Sequence, residues 1–542
     1  MKGWGWILLV LLFSEKSEQL PQEYGKEQQP NKLKNVLFIA IDDLRTELGA
    51  YGHSQVMTPN FDSLASKSLV FERAYCQVAV CSPSRTSLLT GRRPDTNHVW
   101  RNLADETGYW RKYTNATTIP QYFKENGYIT VGMGKVFHPG KPSGNDDIAY
   151  SWSLPYYHAE SLVKPPQHTS WWSYDGPDNN LQDGLIAENA LQTLQQLKQN
   201  QSKGDDRPFF LAVGFHKPHL AFYAPAKYFD KYPPVDQIKL AANPDVPTDF
   251  PPIARAIGPF QFYTDVKPLF PNETKCHTDV QASFSGQECR MPDTKARELR
   301  RAYYACVSFI DAQIGMVMKE LEAQGFVDDT IIVVWGDHGW QLGEHNHWCK
   351  FTNFEDGTHV PFMIRVPGVT DQGMHTKALV ELIDIFPSLS ELAGLKVPPL
   401  CSEDNKKVLT CVEGSSIAPL LKDPNQQWKK AAFSQYPRPD EGMSIIPGKP
   451  AFPPGNIGEA VMGYTVRVDE YRFTEWYSFD RNTGKPDFSD VWGTELYNHT
   501  EPVVFFNDEN VNMAAKPEMK NLVEELRQLL QTGWRAALPP NN

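Results

Sequence analysis

Short apolar runs alternate with longer amphipathic stretches from residue 35 to about residue 420, and this alternation constrains the fold more than any other feature. Runs of this kind lie at 36–41, 128–131, 209–213, 330–335 and 361–366, with helical patterns at 118–126, 186–198, 294–323 and 379–393. Strands that are apolar on both faces are typical of a sheet covered on both sides, and strands separated by helices usually pair in parallel. The sequence therefore predicts an α/β protein with a mostly parallel central sheet flanked by helices.

The character of the sequence changes after residue 423. Strand-like segments at 460–468, 471–477 and 495–497 lie close together, and an amphipathic helix is expected at 517–534. We therefore expect a domain over 32–423 and a smaller C-terminal α+β subdomain with an antiparallel sheet over 424–542. The Pro-rich stretch 223–270 has no usable periodicity and is interpreted as an excursion.

The N-terminus has the features of an export signal. Lys2 precedes an apolar run at 4–13 that is shorter than the roughly 20 residues needed to span a bilayer. A secretory signal peptide over 1–18 is favoured over a membrane anchor, so the mature chain is expected to be exported without a stable anchor. Four Asn-x-Ser/Thr sequons fit this route, at Asn115, Asn200, Asn272 and Asn498.

Charge and cysteine content narrow the function classes. The net charge of −12 argues against a general nucleic-acid binder, so any anion must meet a local basic site. Eight cysteines are too few for a disulfide scaffold in 542 residues. Cys276/Cys289 and Cys401/Cys411 lie in loop-like stretches, and we expect two disulfides there with some unpaired thiols elsewhere.

Carboxylates follow two of the expected strands. Asp42 and Asp43 end the first strand, and Asp337 and His338 follow the strand at 330–335. Ligands in α/β sheets bind beyond the carboxyl ends of strands, and three carboxylates repel one another there unless a cation separates them. Taken alone, the Asp42–Asp43 pair is more readily explained as a strand end followed by a helix cap. Together, the two pairs predict a metal site for Ca²⁺ or Mg²⁺, with zinc left open by the histidine.

The most specific motif is Cys-Ser-Pro-Ser-Arg at 81–85, with Leu-Thr-Gly-Arg following at 89–92. With the strand-end acids, it resembles the signature of the sulfatases of the alkaline-phosphatase-like superfamily, in which the cysteine is oxidised to formylglycine. Further stretches resemble sulfatases that act on 2-sulfated iduronate, at 42–45, 90–96, 134–140, 216–219, 337–345 and 434–439. The resemblance covers about residues 35–497.

The resemblance implies a set of site residues. One calcium ion would be held by Asp42, Asp43, Asp337, His338 and the formylglycine at Cys81. Catalytic roles around the sulfate are implied for Cys81, Arg85, Lys135, His138, His219 and Lys350. Trp340 and Lys350 are the implied substrate-binding residues, for the sugar ring and the uronate carboxylate. Taken alone, the lysines would more often be solvated surface charges and the histidines satisfied polar groups.

The implied activity is removal of the 2-sulfate from terminal iduronate in heparan sulfate and dermatan sulfate. The implied partners are the sulfated glycosaminoglycan and the formylglycine-generating enzyme, and the implied location is the secretory pathway, either lysosomal or secreted. Another sulfated sugar or a small sulfate ester remains an alternative substrate.

Other functions remain open from the residues alone. A metal-dependent phosphodiesterase or phosphatase of the same superfamily would share the Asp/His pattern but use Thr or Ser as nucleophile. A glycan-binding protein that has lost activity would lack one or more of the ligand residues, which are all present here. A disulfide between Cys76 and Cys81 is a rival fate for the nucleophile.

Overall fold

The computed structural model describes residues 33–102, 110–255, 263–270, 290–402, 408–438, 460–500 and 506–540. The described elements belong to one compact unit, Lys34–Asn542. The expected signal peptide, the Asn272 sequon and the Cys276–Cys289 disulfide lie outside the described residues. No helix in the described ranges is long and apolar enough to cross a membrane.

The strands have the following bounds in chain order: β1 (Asn35–Ile41), β2 (Leu69–Phe71), β3 (Ala74–Tyr75), β4 (Ile129–Gly134), β5 (Trp171–Tyr174), β6 (Phe209–Phe215), β7 (Phe222–Pro225), β8 (Thr330–Gly336), β9 (Gln341–Leu342), β10 (Trp348–Cys349), β11 (His359–Val360), β12 (Phe362–Arg365), β13 (Met374–Thr376), β14 (Val380–Glu381), β15 (Ala432–Arg438), β16 (Val461–Arg467), β17 (Tyr471–Asp480) and β18 (Lys485–Asn498).

The α-helices have the following bounds: α1 (Pro59–Ala65), α2 (Cys81–Thr90), α3 (Pro94–Asn97), α4 (Ile119–Glu125), α5 (Ile148–Ser151), α6 (Gln182–Ser202), α7 (Ala226–Phe229), α8 (Asp293–Ala323), α9 (Glu355–Thr358), α10 (Ile385–Leu392), α11 (Ala418–Lys422) and α12 (Lys520–Thr532).

The central sheet has seven strands in the order β13-β2-β12-β8-β1-β6-β4. Strands β4, β6, β1 and β8 pair in parallel, and their residues are buried almost throughout. This confirms the predicted α/β class with a mostly parallel sheet. The apolar run at 361–366 forms β12, which lies between β8 and β2 and pairs antiparallel with both. The chain reaches β12 from β8 through loops and short elements rather than through a long crossover helix, so the two strands run in opposite directions.

A second sheet lies near the C-terminus, as predicted. It is antiparallel, with the order β15-β16-β17-β18, and α12 packs its apolar face against it through Val523, Leu526 and Leu530. Strand β15 also belongs to this sheet, although no strand is predicted there from the sequence. The Cys401–Cys411 disulfide is present, and Cys76 and Cys81 are separate buried thiols rather than a disulfide.

Helix α2 begins at Cys81 and holds this residue in place. Every residue from Cys81 to Thr90 is buried, so the helix is fixed by packing along its whole length. It begins after the extended residue Val80 and ends at Gly91, whose φ of 65° is the left-handed conformation that glycine adopts without strain. Cys81 therefore stands at the first turn of a rigid, buried helix.

Candidate active site

The two strand ends that carry acidic residues are neighbours in the sheet. Strands β1 and β8 pair in parallel with Ile41 opposite Gly336, so Asp42–Asp43 and Asp337–His338 leave the same edge side by side. The Asp43 N–H donates to Oδ1 of Asp337 at 3.0 Å, and the His338 N–H donates to the same oxygen at 3.0 Å. The predicted convergence of the four residues is therefore present.

Cys81 lies directly against this group. Its Sγ is 3.4 Å from Nε2 of His338 and 3.9 Å from Oδ1 of Asp43. It is also 3.2 Å from Nζ of Lys350 and 3.8 Å from Nζ of Lys135. The side chain is fully buried. A single sulfur atom thus touches both the acidic and the basic halves of the site.

Cations control the ionisation of Cys81. Burial and Asp42 both favour the neutral thiol, but Lys135, Lys350 and His338 outweigh them and hold its pKa well below the ordinary value. Lys350 in turn lies against Asp43, and although burial opposes its charge, the surrounding anions raise the pKa of its ammonium group well above the ordinary value. The thiol is therefore held in a strongly electropositive pocket, as reactive cysteines are.

The site has donors that fit a divalent cation. One ligand atom from each of Asp42, Cys81, Asp337 and His338 lies within 4.8 Å of the others, and a second such group joins Asp42, Asp43, Cys81 and His219. Oδ2 of Asp43 is buried without a hydrogen-bond partner among the described residues. Burial, together with Asp42 and Cys81, outweighs the nearby cations and raises the pKa of Asp337 to about 7.

The Asp337 carboxylate is therefore poorly stabilised by its protein partners alone, which is the condition that a cation relieves. Carboxylate oxygens and imidazole nitrogens are common ligands of divalent cations, so these residues could hold one.

Arg85 ties the acidic residues together. Its Nε lies 2.8 Å from Oδ2 of Asp337 and its Nη2 lies 3.3 Å from Oδ1 of Asp42. Its Nη1 donates to the Val136 carbonyl at 3.0 Å and also to the Lys135 carbonyl. The guanidinium is fully buried and committed to these partners. Arg85 thus holds the loop after β4 against both strand ends.

Lys135 and the two predicted histidines line the same region to different degrees. Nζ of Lys135 forms a buried ion pair with Oδ2 of Asp42. Nδ1 of His219 lies 2.6 Å from the Leu220 carbonyl oxygen, and a ring nitrogen of His219 belongs to the second ligand group described above. His138 is half-buried, and its Nδ1 makes no hydrogen bond within the described ranges.

Trp340 lies next to the site, where its ring contacts the side chain of Lys350. The Nζ of Lys350 is 5.4 Å from the centre of the Trp340 ring, a cation–π distance. The ring is 1% exposed and meets Phe222 edge-on within the core. The structure therefore places Trp340 beside a predicted substrate-binding lysine, with little open face of its own.

Supporting residues near the site were missed by the sequence analysis. Asp183, in the first turn of α6, accepts the N–H groups of His216 at 2.7 Å and Lys217 at 2.9 Å. Lys217 is 3% exposed, and its Nζ donates to the Ala221 carbonyl at 2.7 Å and also to the His219 carbonyl. Together they fix the loop that carries His219. The cluster at 216–219 was noticed in the sequence, but nothing in the spacing linked it to Asp183.

Asn102 is a second missed residue. Its Oδ1 accepts the Ser82 N–H at 2.8 Å, so it caps the first turn of α2 beside Cys81. No local signal connects two residues that lie twenty positions apart and meet only through the loop after α3.

Comparison with known proteins agrees with this geometry. The Sulfatase family model matches residues 34–395. Iduronate 2-sulfatase of Homo sapiens is 39% identical over 526 residues, covering 87% of this chain and 91% of that protein. Its Mus musculus counterpart is 39% identical over 514 residues, covering 85% and 88%.

More distant proteins share the fold. Choline-sulfatase of Rhizobium meliloti is 27% identical over 405 residues, covering 71% of each chain. A solved structure in complex with its substrate D-glucosamine-2-N,6-O-disulfate has a TM-score of 0.65 at 20% identity, covering 92% of this chain and 97% of that one. With the family model matched over most of its length and these relatives alongside, the chain belongs to the sulfatase family.

Proposed function

We propose that this sulfatase removes the 2-sulfate from terminal iduronate residues of heparan sulfate and dermatan sulfate. The observation that carries the chemistry is the position of Cys81, whose Sγ lies within 4 Å of Lys350, His338, Lys135 and Asp43. The substrate follows from the 39% identity to iduronate 2-sulfatase over 91% of the human protein. Neither argument depends on the other.

Two groups that the chain does not itself encode complete the proposed site. Asp42, Asp43, Asp337 and His338 would hold one Ca²⁺, which would neutralise the carboxylates and polarise the sulfate ester. Cys81 would be converted to formylglycine, whose hydrate supplies a nucleophilic hydroxyl and a second hydroxyl that allows sulfate to leave. The unpartnered Oδ2 of Asp43 supports the cation. The position of Cys81, which belongs to both groups of possible metal ligands, supports its role at the centre of the site.

The lysines are the sulfate-binding groups in this proposal. Lys135 and Lys350 lie on either side of Cys81, so their ammonium groups can each donate to sulfonyl oxygens of an ester placed over it. Arg85 is already committed to Asp42, Asp337 and backbone carbonyls, and it acts on the reaction by orienting those groups. If the lysine ammonium groups bind the sulfonyl oxygens more tightly in the transition state than in the bound substrate, they lower the activation free energy of ester cleavage.

The remaining roles are proton transfers. His219 lies beside the acidic cluster and its Nδ1 faces a carbonyl, so the imidazole is oriented to donate a proton to the leaving sugar oxygen, with Lys350 as the alternative donor. His138 is assigned the proton of the second hydroxyl, and its unpartnered Nδ1 is consistent with a free acceptor. The net reaction consumes one water and yields an alcohol and sulfate.

The uronate carboxylate is assigned to Lys350. Its ammonium group already lies among Asp43, Cys81 and the Trp340 ring, where a second anion is attracted by the same charge. Trp340 then acts mainly by holding Lys350 in place, with contact to the sugar limited to its small exposed edge.

The proposed route to activity passes through the secretory pathway. Formylglycine formation requires the formylglycine-generating enzyme, and the sequons at Asn115 and Asn498 lie on exposed side chains that could carry glycans. The proposed destination is the lysosome or the outside medium. This rests on the signal-peptide prediction and on the family.

Peptide mass spectrometry of the segment around Cys81 tests the reaction class. We expect the mass of formylglycine in protein secreted from cells that contain the generating enzyme, and of cysteine in protein made without it. Activity should follow the formylglycine content. Full activity in a preparation that holds only cysteine at this position would contradict the proposal.

Comparing two sulfated sugars tests the substrate. We expect kcat/KM on a terminal 2-sulfated iduronate disaccharide to exceed that on 6-sulfated glucosamine by at least about 100-fold, because discrimination depends on a buried polar contact. Equal rates would leave a sulfatase whose preferred sugar is not iduronate.

A further inference from the structure

Among the buried arginines of the described chain, Arg255 has the weakest set of protein partners. It is 6% exposed, and its one hydrogen bond runs from Nη1 to the His345 carbonyl at 3.5 Å, the limit of a hydrogen-bond distance. Arg45, Arg85, Arg467 and Arg472 each meet a carboxylate. Within the described ranges, Arg255 meets none.

The surroundings of Arg255 do not compensate its charge. Burial lowers the pKa of the guanidinium to about 10, with no acidic neighbour acting against it. His347 nearby is buried too, and with Arg255, His345 and Arg438 adding positive charge its pKa is held well below the ordinary value. A buried charged group without a counter-ion destabilises the folded state, and a bound anion relieves that cost.

A ligand can reach this group. Nε and Nη2 of Arg255 have no hydrogen-bond partner among the residues that the structure describes, and neither is among the unpartnered nitrogens that are buried from solvent. Two N–H directions of the planar fork therefore remain open, which is the arrangement that binds a carboxylate or sulfate with two parallel hydrogen bonds.

Short contacts connect Arg255 to the active site. Nη2 of Arg438 donates to the Ala254 carbonyl at 3.2 Å and to the Phe351 carbonyl at 2.9 Å. Ala254 precedes Arg255, and Phe351 follows Lys350, whose Nζ is 3.2 Å from Cys81. Arg438 therefore fastens the segment that carries Arg255 to the segment that carries Lys350.

We propose that Arg255 forms a second anion subsite, which binds a carboxylate or sulfate group of the substrate other than the sulfate that is cleaved. The inference rests on the proposed function in that it assumes a substrate with more than one anionic group. The source of the anion is either the carboxylate of the iduronate ring, which Arg255 would then share with Lys350, or a sulfate on the adjoining sugar. Both are oxyanions that the guanidinium fork recognises alike.

The experiment compares three substrates with wild-type enzyme and Arg255→Met. The first is a 2-sulfated methyl idoside, in which a hydroxymethyl group replaces the carboxylate. The second is 2-sulfated methyl iduronide, and the third is a disaccharide that adds 6-sulfated glucosamine. We expect Arg255→Met to leave kcat/KM on the idoside within about twofold and to lower it about 10- to 100-fold on a substrate with a second anion. The loss should appear mainly in KM.

The point at which the loss first appears identifies the anion. A loss that begins with the iduronide assigns Arg255 to the carboxylate, and a loss confined to the disaccharide assigns it to the second sulfate. Arg255→Lys should recover part of the loss, because it keeps the charge but not the fork. Arg207→Met removes an exposed arginine paired with Asp205 and is the matched control, expected to change none of the three rates.

Thermal stability separates binding from a structural role. Since the variant removes an unpaired buried charge, we expect the Tm of Arg255→Met to stay equal or rise. An equal fall in kcat/KM on all three substrates, a Tm lowered by several degrees, or no change on any substrate would overturn the proposal. If the proposed function is wrong, the wild-type enzyme will prefer a sulfated sugar other than iduronate. The Arg255 subsite would then be tested on that sugar, with and without an anionic group besides the sulfate that is cleaved.

Discussion

Cys81 is the residue on which the proposed chemistry depends most. Its sulfur lies among Lys135, Lys350 and His338, so the position attracts negative charge whatever atom occupies it. Replacement by serine is nearly isosteric, and the helix that begins there is buried along its whole length. The Cys81→Ser protein should therefore fold, with a Tm close to that of the wild type.

We predict that Cys81→Ser does not turn over. The serine hydroxyl can attack sulfur, but it has no second hydroxyl through which sulfate could leave. Intact-mass measurement after incubation with substrate should show one added sulfate group per chain, and steady-state activity should fall at least about 1,000-fold. Repeated turnover near the wild-type rate would contradict the formylglycine mechanism. Ser87→Ala, farther along the same buried helix, is a control for a simple packing effect.

Asp43 allows a separate test of the cation. We predict that purified protein contains one divalent cation per chain, and that Asp43→Asn lowers its affinity at least tenfold, because the unpartnered Oδ2 would become an amide nitrogen. Metal content after dialysis, and the rise in Tm when Ca²⁺ is added back to chelated protein, measure this without reference to activity. Asp371→Asn, at a surface carboxylate, should change neither quantity. Wild-type protein that is metal-free, fully active and unaffected by Ca²⁺ would rule the site out.

The core of the site could be predicted from sequence because it depends on strand ends. Asp42 and Asp337 follow buried strands, and neighbouring parallel strands deliver their end residues to one edge. The supporting residues could not be predicted in this way. Asp183 and Asn102 act through hydrogen bonds to backbone N–H groups of loops, and such contacts depend on loop geometry rather than on any repeat in the sequence.

At the scale of elements, helix α6 positions the loop after β6. Its Asp183 binds two successive backbone N–H groups of that loop, and the loop leads to His219. Each hydrogen bond to a charged acceptor contributes about 1.5–3 kcal/mol, which is enough to hold the loop in one conformation. The helix thus fixes the position of the loop that carries His219.

We predict that Asp183→Ala lowers kcat about 10- to 100-fold, because a small displacement of His219 weakens proton transfer to the leaving oxygen. KM should change less than kcat, and the loss should be smallest for substrates with an acidic leaving alcohol, which need no proton. Glu188→Gln, on the same helix and paired with Asn179 at the surface, is the matched control. An unchanged kcat, or an equal loss with every leaving group, would contradict the positioning role.

Elements that follow a repeating pattern were predicted well, and those fixed by distant contacts were not. The segment 379–393, predicted to be helical, begins instead with strand β14. Contacts with distant parts of the chain hold it there, since Glu381 pairs with Arg93 and Lys429, and Asp384 pairs with Lys429. The stretch 223–270 lacks periodicity because it is built of short elements, such as β7 and α7, whose structure comes from packing against α8.

At the scale of the whole molecule, buried ion pairs join the C-terminal sheet to the region around α9. Arg467 of β16 pairs with Glu355 at 3.0 Å, and the Glu355 N–H donates to Glu509 at 2.8 Å. His499, after β18, contacts Asp508 through Nδ1 and Glu509 through Nε2, both at 3.0 Å. The spacing of these acids and the histidine resembles a metal site. Arg467 and Arg472 already balance the charges of Glu355 and Glu509, and the His499 imidazole contacts a carboxylate through each of its two nitrogens. These residues therefore form an internal ion-pair network.

This network makes stability depend on pH in a defined direction. Burial and Arg467 oppose the charge of His499, but Asp508 and Glu509 outweigh them and raise its pKa to about 9. The ordinary pKa in an unfolded chain is about 6.5, so the folded state binds this proton more tightly. The stabilisation is therefore complete below about pH 6.5 and is lost as the pH rises through about 9.

We predict that the wild-type Tm falls by a few degrees between pH 6.5 and 9, and that His499→Gln flattens this part of the profile. The linkage corresponds to at most about 3 kcal/mol, since one pKa unit is about 1.4 kcal/mol. At pH 5.5 the variant should be clearly less stable than the wild type, and the difference should shrink as the pH approaches 9. His375→Gln, where an exposed histidine lies 3.4 Å from Glu72, is the matched control and should leave the profile unchanged. If the difference in Tm between wild type and His499→Gln stays constant from pH 5.5 to 9, then His499 stabilises the contact between the C-terminal sheet and the region around α9 by packing and not by its charge.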